Sequence, residues 1–307
     1  MKSSPGMTST LAGFYWLSRY RHLRSGQFPR LGGIMNASPD AQLDRWLRFR
    51  KARDRDLAQD HGWLTLTSFD WLETRPAAVG SLPGLWSSDG TTALLAAAAE
   101  DGLTFVGTGD PVAGTVAATL ENEASLMWVQ YRGGDGAQVV VELARRANRY
   151  ALRTRDSASP VFSGFDGVPT FDYRPDLVIE ARYEPFPEPV DVPVSTASAL
   201  VEGTHRSAGE VVFRLPGVDH EYRLQAEADQ RGALTVTFHD ATNGNTTADW
   251  RRVFLAIPRP DGTVTLDFNR AVNYPSAFTP YGTCPLPVRN NSLDVGIEAG
   301  EKQPAGA

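Results

Sequence analysis

Asn269, Arg270, Asn273, Tyr281, Asn290, Asn291 and Glu301 crowd into residues 266–301, beside the chain's single cysteine, Cys284. Converging amides and a guanidinium can bind and orient a carboxylate or phosphate. A phenol or carboxyl beside them can pass a proton. The expected site therefore has Arg270 or Arg252 anchoring an anionic group. Asn269, Arg270, Asn273, Tyr281 and Asn291 line it, with Arg252 and Trp250 at its edge, and Tyr281 or Glu301 acts as proton-transfer partner. Cys284 could add a nucleophile with His205 or His239 as base, or could be a small buried apolar residue. A structural alternative stands beside each assignment: loop asparagines fix turns through their own side chains, and a buried arginine can simply hold Glu301.

The segment carrying these groups is neither a helix nor a plain strand. Pro275, Pro280, Pro285 and Pro287 each remove a backbone donor and fix φ. Phe268, Tyr274, Phe278, Tyr281 and Leu286 would be costly to leave in water. An irregular stretch with this many apolar side chains reads as an ordered loop packed on a scaffold.

Other chemistries find little footing. His22, His61, His205, His220 and His239 are scattered, with no Cys-x-x-Cys or His-Glu-x-x-His spacing, so no metal is expected. No glycine-rich phosphate loop and no Gly-x-Ser-x-Gly elbow occurs, and no cofactor is expected. A net charge of -6 and a pI near 5.4 argue against nucleic acid as partner. No run approaches the roughly 20 apolar residues that span a bilayer, and no membrane partner is expected. Residues 11–17 are apolar, but Arg19, Arg21 and Arg24 follow and no clear cleavage site appears, so a secretion signal is not assigned. With one cysteine, the chain fits a reducing cytoplasm.

The scaffold is read from periodicity. Ser38-Pro39-Asp40 is a helix start, and Leu43, Trp46, Leu47 and Leu57 recur at helical spacing up to Gly62. Arg45, Arg48, Arg53 and Arg55 alternate with Asp44, Asp54 and Asp56, which predicts a solvated, ion-paired outer face. Beyond Trp63 the pattern has period two. Strands are predicted at 64–69, 93–97, 103–106, 115–120, 137–143, 150–153, 177–182, 192–196, 210–215, 221–226, 234–239, 253–257, 263–267 and 293–298. The expected fold is mainly β, with two sandwich- or barrel-like lobes and one N-terminal amphipathic helix. Residues 1–38 are expected to be an extension, 39–189 the helix with a first β lobe, and 190–307 a second β lobe. The boundary is set at the proline-rich run 184–189.

LDFNRA at 266–271, TCPLP at 283–287, Asn291 with Leu293, and AGEK at 299–302 carry a family resemblance. FHDATNG at 238–244, GFDGVPTF at 164–171, ARYEPF at 181–186 and HGWLTL at 61–66 extend it. The chain resembles the family known as domain of unknown function 1684, over about residues 41–304 and as a divergent member. The resemblance implies a cysteine where Ser276 stands, a glutamate at Asn290 and a tyrosine near Ala248. It implies a fold and a motif rather than a reaction.

The function expected from these residues is binding of a small metabolite. Metal- and nucleotide-independent turnover of an anionic organic compound would be a further step. The alternative is a non-catalytic protein-binding or structural β module, with Trp128, Tyr131 and Trp250 as interface anchors.

Overall fold

The computed structural model describes residues 38–304; the expected extension lies outside these except for Ser38. Helix α1, Pro39–Leu57, starts as its sequence predicts: the Ser38 side chain accepts from the Ala41 N–H at 3.3 Å and proline opens the first turn. Trp46 and Leu57 are buried, while Leu43 and Leu47 stay in solvent. Among the described residues the other α-helical piece is the short α2, Pro160–Ser163.

The fold is mainly β, with three antiparallel sheets and no closed barrel among the described residues. Contacts divide the chain into a unit spanning Ser68–Thr154 and a second unit built from residues up to Thr67 together with those from Arg155 onward. The first contains a five-stranded sheet in the order β1 (Leu66–Trp71), β8 (Arg149–Asp156), β7 (Gln138–Arg146), β6 (Ser125–Arg132), β4 (Thr104–Phe105). A three-stranded sheet runs β2 (Leu85–Ser88), β3 (Ala93–Ala97), β5 (Gly114–Ala118). Its core gathers Trp86, Leu95, Leu103, Trp128, Val141, Leu143 and Leu152. Burial of Trp128 removes it as an interface anchor, and Tyr131 is half-buried.

The second unit holds a seven-stranded sheet. Its order is β14 (Thr263–Asp267), β9 (Val178–Ser195), β10 (Glu202–Phe213), β11 (Tyr222–Ala228), β12 (Leu234–Phe238), β13 (Arg251–Leu255), β15 (Val272–Asn273). One face packs Val211, Leu224, Val236, Phe238, Val253 and Leu266 around Phe268, which meets the Phe238 ring edge-on at 5.5 Å.

Three expectations about the elements need correction. Strands 177–182 and 192–196 are one strand, so the boundary expected at Pro189 falls inside β9, and the contact units part elsewhere. Pro187 and Pro189 do not break this strand because residues 186–189 face only Ala208 in a bulge, between the pairs Ser207↔Val190 and Gly209↔Pro185. Gly209 is needed there, since a Cβ would lie 2.4 Å from the Glu184 carbonyl oxygen. The strand expected at 293–298 is irregular: side chains take both backbone groups of Ile297, while Leu293 and Val295 bond to His239 and Ala241, just beyond the end of β12. Strands β2 and β6 went unforeseen, being short or broken by a register shift between Met127 and Val129.

In the first unit, the Tyr150 hydroxyl accepts from the Leu120 N–H at 2.8 Å and donates to the Thr91 carbonyl at 2.9 Å. Tyr150→Phe leaves the Leu120 N–H unanswered in a buried setting. It is expected to cost about 1–3 kcal/mol, measured by urea unfolding.

Candidate functional site

Glu301 is fully buried, and three donors hold it: Arg50 at 2.8 Å, the Arg53 Nε at 3.0 Å, and the Asn273 backbone N–H at 2.6 Å. Arg50 also donates to the Val168 carbonyl, and Arg53 to the Asn273 carbonyl. Burial alone would push this carboxyl up, but Arg53, Arg50 and the Asn273 N–H together leave it below the ordinary glutamate value. It stays an anion and docks α1 on the C-terminal segment, so it is a poor proton-transfer partner. Arg53, expected on the outer helix face, instead turns inward to this carboxylate.

A second buried pair lies one strand away. Arg251 reaches Asp240 at 2.7 Å and donates to the carbonyls of Ile297, Ala299 and Glu301. Asp240 in turn accepts from the Ile297 N–H at 3.1 Å and the Thr242 N–H at 2.9 Å. One guanidinium and one carboxylate thus hold the backbone at Ile297, Ala299 and the Glu301 carbonyl, while Val295, Gly300 and the Glu301 N–H bond to the backbone of Ala241, Phe171 and Ala271.

The asparagines expected to line a pocket are committed to backbone. Asn269 accepts from the Arg174 N–H at 2.7 Å and donates to the Arg174 carbonyl and to Asp267. Asn291 accepts from the Gln225 N–H and donates to the Gln225 and Thr237 carbonyls, filling the gap where β11 and β12 stop pairing. The Asn273 amide donates to the Lys302 carbonyl at 2.8 Å. Arg270 pairs with Asp267 at 3.5 Å and lies over the Phe49 ring. Burial pulls the Arg270 proton affinity down and pushes the Asp267 carboxyl up. Tyr281 is half-buried, and its side chain joins none of these groups.

These clamps set the walls of a cleft of about 370 Å³. Arg174, Asp176 and Leu177 form one wall, which Asn269 holds through the Arg174 backbone. Val295, Gly296, Ile297 and Glu298 form another, held by Arg251 and Asp240. Leu215, Pro216 and Val218 form the third, on the turn closed by the Val218 N–H to the Leu215 carbonyl. Near it the Tyr222 hydroxyl donates to Asp294; burial first, and then that carboxylate, push Tyr222 up to about 12. Leu177, Leu215 and Ile297 are buried, and the floor continues into the core. At the rim Arg174 is paired bidentately with Asp176, at 2.8 and 2.6 Å, and Glu298 is exposed.

Sequence reasoning missed this cleft. Its lining comes from three stretches far apart in the chain. Trp250 and Arg252 lie apart from it, at the β13 end of the sheet. Ala248 and Ser276 line a crevice of about 30 Å³ there with Asp249, Trp250, Tyr274 and Ala277, while Asn290 is exposed. Cys284 is buried against Trp250 and Tyr274.

Removing the charge at Glu301 should expose how much depends on it. Glu301→Gln leaves Arg50 and Arg53 without their shared anion and is expected to destabilise by about 3–5 kcal/mol, as breaking a buried pair does. The pH dependence follows from the lowered folded value. The stabilisation is complete above the unfolded value of about 4.5 and is lost as pH falls through the folded one. Urea titrations between pH 7 and pH 3 should therefore show a steeper acid loss in the wild type than in Glu301→Gln.

No curated protein matches the chain. A solved structure that it resembles is an uncharacterised protein of Haloarcula marismortui determined by solution NMR, 30% identical, covering 47% of this chain and 80% of that one, with a TM-score of 0.39. Asp240, Arg251, Asn269 and Glu301, which hold the site's walls and the docked helix, all fall within residues 163–302, the stretch matched by the family described as protein of unknown function (DUF1684), and the chain belongs to that family.

Proposed function

We propose that the protein binds a small organic molecule in the cleft between residues 174–177, 215–218 and 295–298. The observation that carries this reading is the bracing of the walls. Each is pinned by groups away from the opening, so the cavity is largely pre-formed, as small-molecule sites are. Its volume lies within the roughly 300–1,000 Å³ typical of ligand pockets.

The rim chemistry narrows the ligand. Arg174 is already neutralised by Asp176, and Glu298 adds an exposed carboxylate. Asp294 lies next to the lining residue Val295 in the chain. That balance favours an apolar body with a neutral or cationic head over the anionic compound expected from Arg270. The protein-partner alternative is less well supported, because Trp128 and Trp250 are buried. A cytoplasmic location belongs to the same reading; a buried, free Cys284 suits a reducing compartment.

A thermal-shift screen of small aliphatic and aromatic amines, with the matching alcohols and carboxylates, tests this. Compounds present at about 100 times their dissociation constant should stabilise the fold by about 2.7 kcal/mol, raising Tm by several degrees. Val218→Trp fills the cleft and should abolish the shifts, and Glu298→Gln should weaken the amines selectively. No shift from any member, or equal shifts in Val218→Trp, would contradict the proposal.

A further inference from the structure

Strand β5 closes one side of the three-stranded sheet and pairs with β3, Val116 opposite Leu95. Beyond that pairing, the backbone of Gly114–Ala118 makes no hydrogen bond among the described residues, and Gly114, Thr115 and Ala117 are exposed. An open edge of this kind is a template for another strand, and proteins normally blunt it with prolines, charges or a covering loop. Three other edges are blunted in this way. Ala77 exchanges backbone bonds with Trp86 on the side of β2 away from β3, and Asp110 and Pro111 lie against β4. Pro187, Pro189 and Pro193 remove donors from the stretch of β9 that runs beyond β14. Residues 112–120, by contrast, contain neither a proline nor a charge.

The core of the first unit also runs out at this edge. Val116 and Ala118 pack on it but are only half-buried, so a strand laid beside them would take more apolar surface out of water. The edge is compatible with its own copy. Two copies related by a two-fold axis perpendicular to the sheet lie antiparallel, and directly opposite residues then project from the same face. Centred on Val116, that symmetry sets Val116 against Val116 of the partner subunit, Thr115 against the partner's Ala117 and Gly114 against the partner's Ala118. No like charges meet, which a charged edge would force on self-pairing, and the half-buried core faces of the two sheets become continuous.

We infer that β5 pairs with β5 of a second copy of this chain, joining two three-stranded sheets into one antiparallel sheet and making the protein a homodimer. The edge is only five residues long, so the dimer is weak and depends on concentration. The pairing shares no residue with the cleft and does not depend on the cleft being occupied.

Sedimentation velocity of the full chain from about 10 μM to about 1 mM covers the affinities of such contacts, and a reversible monomer–dimer equilibrium is expected. Thr115→Lys with Ala117→Lys sets lysine opposite lysine twice across the two-fold and should weaken the dimer about tenfold. Thr115→Lys with Ala117→Glu sets lysine opposite glutamate and should restore it, which separates loss of pairing from loss of folding. Cys284 is buried, so an introduced cysteine reports alone. Val116→Cys should cross-link the dimer on mild oxidation, since opposite Cα atoms sit at disulfide distance. Ala118→Cys should not, because its symmetry mate lies about 13 Å away along the strand. A chain that stays monomeric to about 1 mM, a dimer indifferent to the paired lysines, or cross-linking of Ala118→Cys as strong as that of Val116→Cys would overturn the inference.

Discussion

A single fully buried carboxylate, Glu301, is the interaction on which the second unit depends. Taking a carboxylate out of water costs several kcal/mol unless charged donors replace the solvent, and here two arginines of α1 and a backbone N–H do so. The arrangement joins the helix to the end of the described chain, 251 residues apart for the Arg50 bond. Its placement is set by backbone. Gly300 has φ +77°, and a Cβ there would fall 2.6 Å from the Ala271 carbonyl oxygen, which accepts the Glu301 N–H. Arg251 then continues the network, since it donates to the Glu301 carbonyl while holding Asp240.

The consequence is a division of labour among polar residues of similar appearance. Asn269, Asn291, Asp240, Arg251 and Glu301 all face backbone groups or one another, and they substitute for β ladders where the chain is irregular. Buried polar networks of this kind specify a unique packing when their hydrogen bonds are made. The apolar and charged side chains at 174–177, 215–218 and 295–298, which take no part in these networks' polar contacts apart from their backbone, are the ones that line the cavity. Chemistry in this unit is therefore to be sought beside the motif residues rather than at them.

Much of the scaffold was legible in the sequence. The Ser38-Pro39-Asp40 start of α1 and the strands at Ala93–Ala97 and Thr263–Asp267 follow from capping and period-two patterns that act locally. The long strand β9 did not, because Pro187 and Pro189 fall in a bulge visible only once β10 is paired beside it. The site was legible only as a neighbourhood. Spacing shows that Asn269 and Glu301 sit in an ordered segment, but not that their partners are Arg174 and Arg50, at sequence separations of 95 and 251. Arg53 was misread for the same reason: alternation with aspartates predicts a solvated face, and a buried glutamate far along the chain overrides it.

A crystal structure of the protein soaked with a cocktail of small fragments would test the central claim most directly, that the polar motif builds walls and the cleft takes the ligand. The account predicts fragment density against Leu215, Val218 and Ile297, with Asn269, Asn291 and Glu301 unmoved in their backbone contacts. Density on the side chains of Asn273, Tyr281 or Glu301, with that cleft empty, would contradict it.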